Sequence, residues 1–313
     1  MSGEQGRQAS SVTPGVVFAV AAMCLIWGST WLVVREGLAE MPPFGSAGLR
    51  FLFAGAVMFV VAPMIARAEG GGSPTIGLVL AMATGNFAVS YGIVYWAEVV
   101  VPSSLAAILF GIYPLATALA GHVYLPESRI AGMQWAGLFL GFAGVLSLFA
   151  TDLPAIGPEA QRRGAWILIS PLVSAAATVY VKRHGAGVSA ALLNRSSMLL
   201  GGVMLCVFAL FVEGGLPRPS TTRALFSLTY LALFGTVIGF TLYFWVLRRA
   251  SPTSLSLIAY VTPAIALLVG VVLGGETMSG WTVLGLAFVL FGSALVLRRP
   301  QNQGPVNATL EGS

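Results

Sequence analysis

Charge is scarce in this 313-residue chain. Its 16 Lys and Arg and 11 Asp and Glu make up 9% of the residues, where a soluble domain carries about a quarter. A chain that is 57% apolar, with mean hydropathy +0.88, excludes an ordinary water-soluble domain. Cysteine is nearly absent too. Cys24 and Cys206 fall in separate apolar stretches, which excludes a disulfide framework or a cysteine-based metal site and leaves both as packing residues. The two histidines, His122 and His184, are isolated at segment ends. No nucleophile elbow, metal-ligand spacing, glycine-rich phosphate loop or ATP-binding motif appears, so the sequence offers no catalytic centre, no metal site and no cofactor site.

Long apolar runs are what the chain has instead. A bilayer core needs about 20 mostly apolar residues per helix, and ten stretches qualify: 16–34, 44–65, 75–97, 103–125, 132–149, 164–181, 190–212, 225–247, 253–274 and 280–297. They use most of the chain and leave no soluble domain of useful size. The first is preceded by Arg7 but runs on through Trp27, Gly28 and Trp31 without a cleavage site, which favours a membrane helix over a signal peptide. With the N-terminus in the cytoplasm, ten Lys and Arg lie inside (Arg7, Arg67, Arg129, Lys182, Arg183, Arg195, Arg248, Arg249, Arg298, Arg299) and six outside. That distribution follows the positive-inside rule and places both termini in the cytoplasm. The net charge of +5 is thereby explained as topology, with no nucleic-acid partner.

The chain is a duplication. Trp96, Pro114, Gly121, Val123 and Glu127 recur 149 positions later as Trp245, Pro263, Gly270, Val272 and Glu276. Five helices per half is an odd number, so the expected fold is an all-α transmembrane bundle of ten helices made of two inverted five-helix repeats. The division reads 1–15 as a cytoplasmic tail, 16–150 as the first repeat, 151–163 as a linker rich in Pro, Gly and charge, 164–298 as the second repeat and 299–313 as a cytoplasmic tail. Inverted repeats with a proline in one helix of each half are the pattern of a secondary transporter, with its site at the repeat interface.

Pro114 and Pro263 are expected as kinks in helices four and nine, each freeing the carbonyl four residues earlier, at Phe110 and Ala259. Hydroxyl, amide and aromatic residues concentrate in helices one, three, four, eight and nine. The expected cavity lining is Trp27, Ser29, Thr30 and Trp31; Asn86, Tyr91 and Tyr95; Tyr113; Tyr243; and Tyr260 and Thr262. Such a lining suits a small, partly apolar molecule such as an amino acid, an amine or a hydrophobic metabolite, because aromatic faces pack its body and a few hydrogen bonds orient it. Glu98, closing helix three near the expected outer face, reads first as a solvated end residue, with a carboxylate for proton coupling as the second reading. Arg50 and Arg195, about two turns into their helices, read as snorkelling side chains or as partners of a loop carboxylate, with binding of a substrate carboxylate by Arg50 as the second reading. Glu127 and Glu276 precede helices five and ten and read as N-terminal caps. Trp96 and Trp245 read as interfacial belt residues. The spacings Gly137/Gly141, Gly235/Gly239 and Gly270/Gly274 serve bundle packing or dimerisation, and the oligomeric state stays open.

A resemblance is carried by Ile26-Trp27-Gly28-Ser29-Thr30-Trp31, by Pro42-Pro43 followed by Gly48-Leu49-Arg50-Phe51, by Tyr95-Trp96-Ala97-Glu98 followed by Pro102-Ser103-Ser104-Leu105-Ala106-Ala107, and by Gly274-Gly275-Glu276-Thr277. In that order, over about residues 16–298, these resemble the EamA-type members of the drug/metabolite transporter superfamily. The resemblance implies a permease of the bacterial inner membrane that exports amino acids or related metabolites. It also implies a central cavity lined by helices one, three, four, six, eight and nine, and helix six here offers only Ser174, Thr178 and Tyr180. Ser104 and Val99-Val100 depart from the family pattern and weaken the case for Glu98. A membrane-embedded enzyme and a non-transporting structural or regulatory membrane protein are the competing readings.

Overall fold

The computed structural model describes residues 14–125, 130, 132–247 and 252–297. Among these there is no β-strand, only an isolated bridge between Gly72 and Val188 that ties two loops together. The helical segments are α1 (Pro14–Leu38), α2 (Pro43–Glu69), α3 (Ile76–Glu98), α4 (Ser103–Tyr124), α5 (Gly132–Ala150), α6 (Pro158–His184), α7 (Ala190–Val212), α8 (222–247), α9 (Pro252–Val272) and α10 (Gly280–Leu297). Eight of them, α1 to α8, are long and apolar enough to cross a membrane, and α9 and α10 contribute the shorter apolar helices Val261–Val272 and Gly280–Val296. Large apolar side chains such as Phe18, Phe59, Phe139, Phe211 and Phe291 stand exposed on the outside of the bundle. In water that surface would be a liability, and in lipid it is the expected one.

Local chemistry sets the helix ends. The hydroxyl of Ser189 accepts from the Leu192 amide (3.3 Å) to start α7, and that of Thr221 accepts from the Ala224 amide (3.1 Å) to start α8. Gly70, with φ of 75°, closes α2. The segment expected as a linker is largely helical. Asp152–Ile156 forms a short turn, Gly157 (φ 131°) breaks it, and Pro158 opens α6 at the first helical position, where its missing amide costs nothing. Helix α6 therefore begins six residues before the expected 164, at 158.

The packing reflects the repeat. Helix α2 packs on α7, α5 on α10 and α4 on α9, each against its own counterpart, while α1 packs on α9 as α6 packs on α4, and α1 on α8 as α6 on α3. Exchanging the halves leaves this pattern of neighbours unchanged. Glycines make the self-paired crossings possible. A Cβ at Gly137 would meet the Gly292 carbonyl, one at Gly144 the Gly285 carbonyl, and one at Gly202 the Gly48 carbonyl. The Gly137/Gly141 spacing thus serves backbone contact inside the bundle.

Two features depart from a plain helical reading. Helix α4 breaks at Gly111-Ile112, and Pro114 lies in the first turn of the segment that resumes at Tyr113, so it starts a helix instead of kinking one. Pro263 does lie inside α9 and packs beside Gly111. In addition, α3 and α8 each contain a π-helical segment, Ala83–Val89 and Leu233–Ile238, at the same register of the two repeats. Neither holds a proline, and nothing in the spacing of apolar residues signalled them.

Candidate functional site

A π-helical turn disturbs the backbone ladder and frees carbonyls for other donors. In α8 the indole nitrogen of Trp27 donates to the Gly235 carbonyl (3.1 Å), and the Thr236 hydroxyl donates to the Leu231 carbonyl (2.9 Å). Gly235 and Gly239 admit this approach, because a Cβ on either would collide with Thr30 or with Trp27. Trp27 also packs against Phe240 and Tyr243 (ring centroids 5.8 and 6.2 Å). Ser29 bonds to the hydroxyl of Tyr230 (2.7 Å), and Thr30 donates back to the Trp27 carbonyl (2.7 Å). The Trp-Gly-Ser-Thr stretch is therefore the surface of α1 that seats on α8, with Gly28 against Ile265 of α9.

A second seam runs through the middle of the bundle. Trp31 of α1 meets Phe110 at the break in α4 (5.7 Å), Phe110 stacks on Tyr113 (5.9 Å), and the Tyr113 hydroxyl bonds to Thr178 of α6 (2.9 Å). Asn86, in the π-helical segment of α3, reaches Thr178 at 3.5 Å and the Met82 sulfur at 2.9 Å. Helix six thus contributes Thr178 to the seam, and Ser174 is buried, whereas Tyr180 points to the surface and packs on His184. On α9 the Thr262 hydroxyl is buried without a partner among the described residues. Tyr260 lies in α9, but its side chain is outside the described residues.

Arg50 does not snorkel. It is 3% exposed, donates through Nε to Thr236 (3.2 Å) and through Nη1 to Tyr95 (3.0 Å), and its guanidinium lies over the rings of Tyr91 (5.1 Å) and Phe51 (5.3 Å). Tyr91, Tyr95 and Glu98 follow one another at i, i+4 and i+7 on one face of α3. A narrow pocket bounded by Arg50, Tyr95, Gly37, Ser46 and Ser227 opens here, with room for about one water molecule. Arg195, also early in its helix, is half-buried and lies over Phe59 (5.2 Å), so the repeat does not duplicate this role.

Glu276 caps a helix, though not the one its position suggests. Its carboxylate accepts from the Ser103 amide (2.8 Å) and hydroxyl (2.7 Å), from the Ser104 amide (3.0 Å) and hydroxyl, and from Arg35 Nη1 (2.8 Å). It caps α4 across the bundle and ties in α1 through the ion pair. The N-terminus of α10 is served instead by Asp152, which accepts from Ser279 (2.6 Å) and Thr282 (2.8 Å). Burial pushes the Glu276 carboxyl up, and the hydrogen bonds from Ser104 and Ser103 outweigh it and hold the group below the usual carboxylate range. Glu127 lies outside the described residues. Trp96 sits beneath Arg163 (4.4 Å to the ring), which also donates to its carbonyl (2.6 Å).

Glu98 is 2% exposed, and neither carboxyl oxygen has a hydrogen-bond partner among the described residues. The solvated alternative for Glu98 does not fit this burial.

The model of the EamA-like transporter family matches residues 13–150 and again 163–298. The uncharacterized inner membrane transporter YedA of Escherichia coli K12 is 31% identical, covering 89% of each chain. The uncharacterized transporter YoaV of Bacillus subtilis is 26% identical over 88% of this chain and 94% of its own, and the protein PagO of Salmonella typhimurium is 26% identical over 87% and 90%. One solved crystal structure aligns with a TM-score of 0.63 over 90% of this chain and 96% of its own, at 19% identity, a likeness of fold alone.

Proposed function

The chain belongs to the EamA-like transporter family, and on that premise we propose that it is a secondary transporter that exports amino acids or related small metabolites by alternating access. The bundle has ten crossings in two inverted five-helix repeats, lies in the bacterial inner membrane and keeps both termini in the cytoplasm. The observation that carries this reading is the seam from Trp31 through Phe110, Tyr113 and Thr178 to Asn86. It joins α1, α3 and α4 of one half to α6 of the other where their packing obeys the exchange of halves. Polar groups at the junction of two repeats are where such carriers bind their cargo.

The Glu276 cluster acts in this scheme as a latch. It joins α1, α4 and the loop before α10 at the face proposed to be outer, so opening that face requires the Ser103, Ser104 and Arg35 bonds to part. Pro114, Gly111 and Pro263 lie together at the break in α4, a place where the halves can bend as they rock. Catalysis is not part of the reading: the polar groups of the seam are the hydroxyls of Tyr113 and Thr178 and the amide of Asn86, which suit binding.

The test is efflux from proteoliposomes loaded with a defined pool of amino acids and simple amines, read by mass spectrometry. Selective loss of a few members through the unsubstituted protein, reduced at least tenfold in correctly inserted Trp31→Ala, is the expected result. Unselective retention of every member, with and without an imposed pH gradient, would refute it.

A further inference from the structure

The other shielded carboxylates are well served. Buried Glu276 holds two amides, two hydroxyls and Arg35, and half-buried Glu213 holds the amides of Phe44 (2.7 Å) and Gly45 (2.9 Å) at the start of α2. Glu98 alone among the described carboxylates is both buried and bare. An ionised carboxylate stripped of water and of donors is too costly to persist in such a place, whereas the neutral acid carries only the smaller penalty of unpaired polar atoms.

Charges of both signs surround it. Glu276, on the α10 approach, disfavours a second negative charge, whereas Arg50 of α2 and Arg35 of α1 favour one. Both arginines are committed elsewhere, Arg35 to Glu276 and Arg50 to Tyr95 and Thr236. On α6, Arg163 is held by Glu159 (2.7 Å) and by the Trp96 carbonyl, and Arg162 by Glu159 (2.8 Å). Tyr91 and Tyr95 are the titratable groups on its own helix face. Among the described residues no facing cation is free to neutralise Glu98, and the carboxylate that faces it repels a second negative charge.

We propose that Glu98 is a proton-carrying site, protonated while the Glu276 latch is closed and exchanging its proton with water when the latch opens. Only Val99, Val100 and Val101 separate Glu98 from Pro102, and Ser103 and Ser104 follow directly as the latch partners of Glu276. Parting those bonds wets the α3–α4 turn and gives the carboxyl a path to solvent. In the exchange the acid's O–H bond breaks, the proton passes to water, and the carboxylate is left hydrated. Closure of the latch reverses the step. The state of Glu98 thereby follows the state of the outer face, which couples movement of cargo to a proton gradient. This coupling rests on the transporter reading, while the proton site itself does not.

The test has two parts, both on the full chain. Infrared spectra recorded through an alkaline titration read the carbonyl stretch that only a protonated carboxyl gives. The expected result is such a band at neutral pH in the unsubstituted protein, absent from Glu98→Gln and shifted in Glu98→Asp. Its absence from folded protein at neutral pH, or its survival in Glu98→Gln, overturns the proposal. In proteoliposomes loaded with the amino acid and amine pool, an imposed pH gradient accelerates net efflux several-fold through the unsubstituted protein. Glu98→Gln loses that response and still exchanges internal for external cargo, and Glu98→Asp keeps part of the response. An equal gradient response in Glu98→Gln overturns the coupling. Transport without the infrared band refutes this proposal and spares the transporter reading. The band without any transport supports the proton site and removes the transporter reading.

Discussion

The Glu276 latch has consequences that follow from its geometry. Five donors converge on one carboxylate, four of them from Ser103 and Ser104 and the fifth from Arg35. Glu276→Gln keeps the shape but removes the charge and turns one acceptor oxygen into a donor, so that donors face a donor on that side. Breaking one partner of a buried charged cluster costs about 3–5 kcal/mol. Arg35 is 39% exposed, and its share is screened by solvent, so we discount the loss to about 2–3 kcal/mol. At about 1.4 kcal/mol per tenfold, the open population at this face should rise about 30- to 140-fold. Val101, 1% exposed and two residues before Ser103, reports the event when replaced by cysteine. Its labelling by a membrane-impermeant thiol reagent added from outside should accelerate by that factor in Glu276→Gln, because labelling follows the open population when closure is fast. An unchanged rate in folded protein would show that Glu276 is a static cap. Acceleration only from the cytoplasmic side would refute the assigned orientation.

Further outcomes are expected. Acid should loosen the same latch. The Glu276 carboxyl titrates below its unfolded value, so its contribution is complete above the ordinary carboxylate range and lost as pH falls through the lowered one. The Val101→Cys rate, normalised to a cysteine at exposed Met278, should therefore be flat near neutrality and climb once pH falls below the ordinary carboxylate range. Arg50→Lys cannot keep both the Thr236 and Tyr95 bonds and the flat contact with Tyr91. It should cost about 2 kcal/mol or more of stability, read as thermal unfolding in detergent, and should abolish efflux. Tyr113→Phe removes only the Thr178 hydroxyl bond, worth about 0.5–1.5 kcal/mol, and should raise the half-saturating concentration of transported cargo about 2- to 10-fold. Gly292→Val forces the α5–α10 crossing apart where backbone meets backbone at Gly137 and Gly141. It should unfold the monomer at lower temperature, and a changed oligomeric state with unaltered melting would show that this face is an intermolecular one.

Periodic features were legible along the chain. Apolar length fixed where helices run to within a few residues, apart from the linker, where Pro158 starts α6 early. The 149-residue recurrence announced two like halves, and both the exchange of neighbours and the paired π-helical segments obey it. The enrichment in hydroxyl and aromatic residues marked α1, α3 and α4 as interior, since such side chains in lipid-facing positions would leave polar groups unpaired.

What lay beyond the sequence was partner choice. Arg50 and Arg195 both stand early in counterpart helices, yet Arg50 turns inward because Thr236 and Tyr95, 186 and 45 positions away, offer it acceptors, while Arg195 lies over Phe59. Glu276 precedes α10 and yet caps α4, since Ser103 and Ser104, 173 and 172 positions earlier, are brought to it by the packing of α4 on α9. The single-chain pattern fixed which segments enter the membrane, because burial in lipid depends on each segment's own composition. Which charge meets which donor was decided only when the helices assembled, because a hydrogen bond acts over about 3 Å and no local spacing encodes a neighbour from the other half.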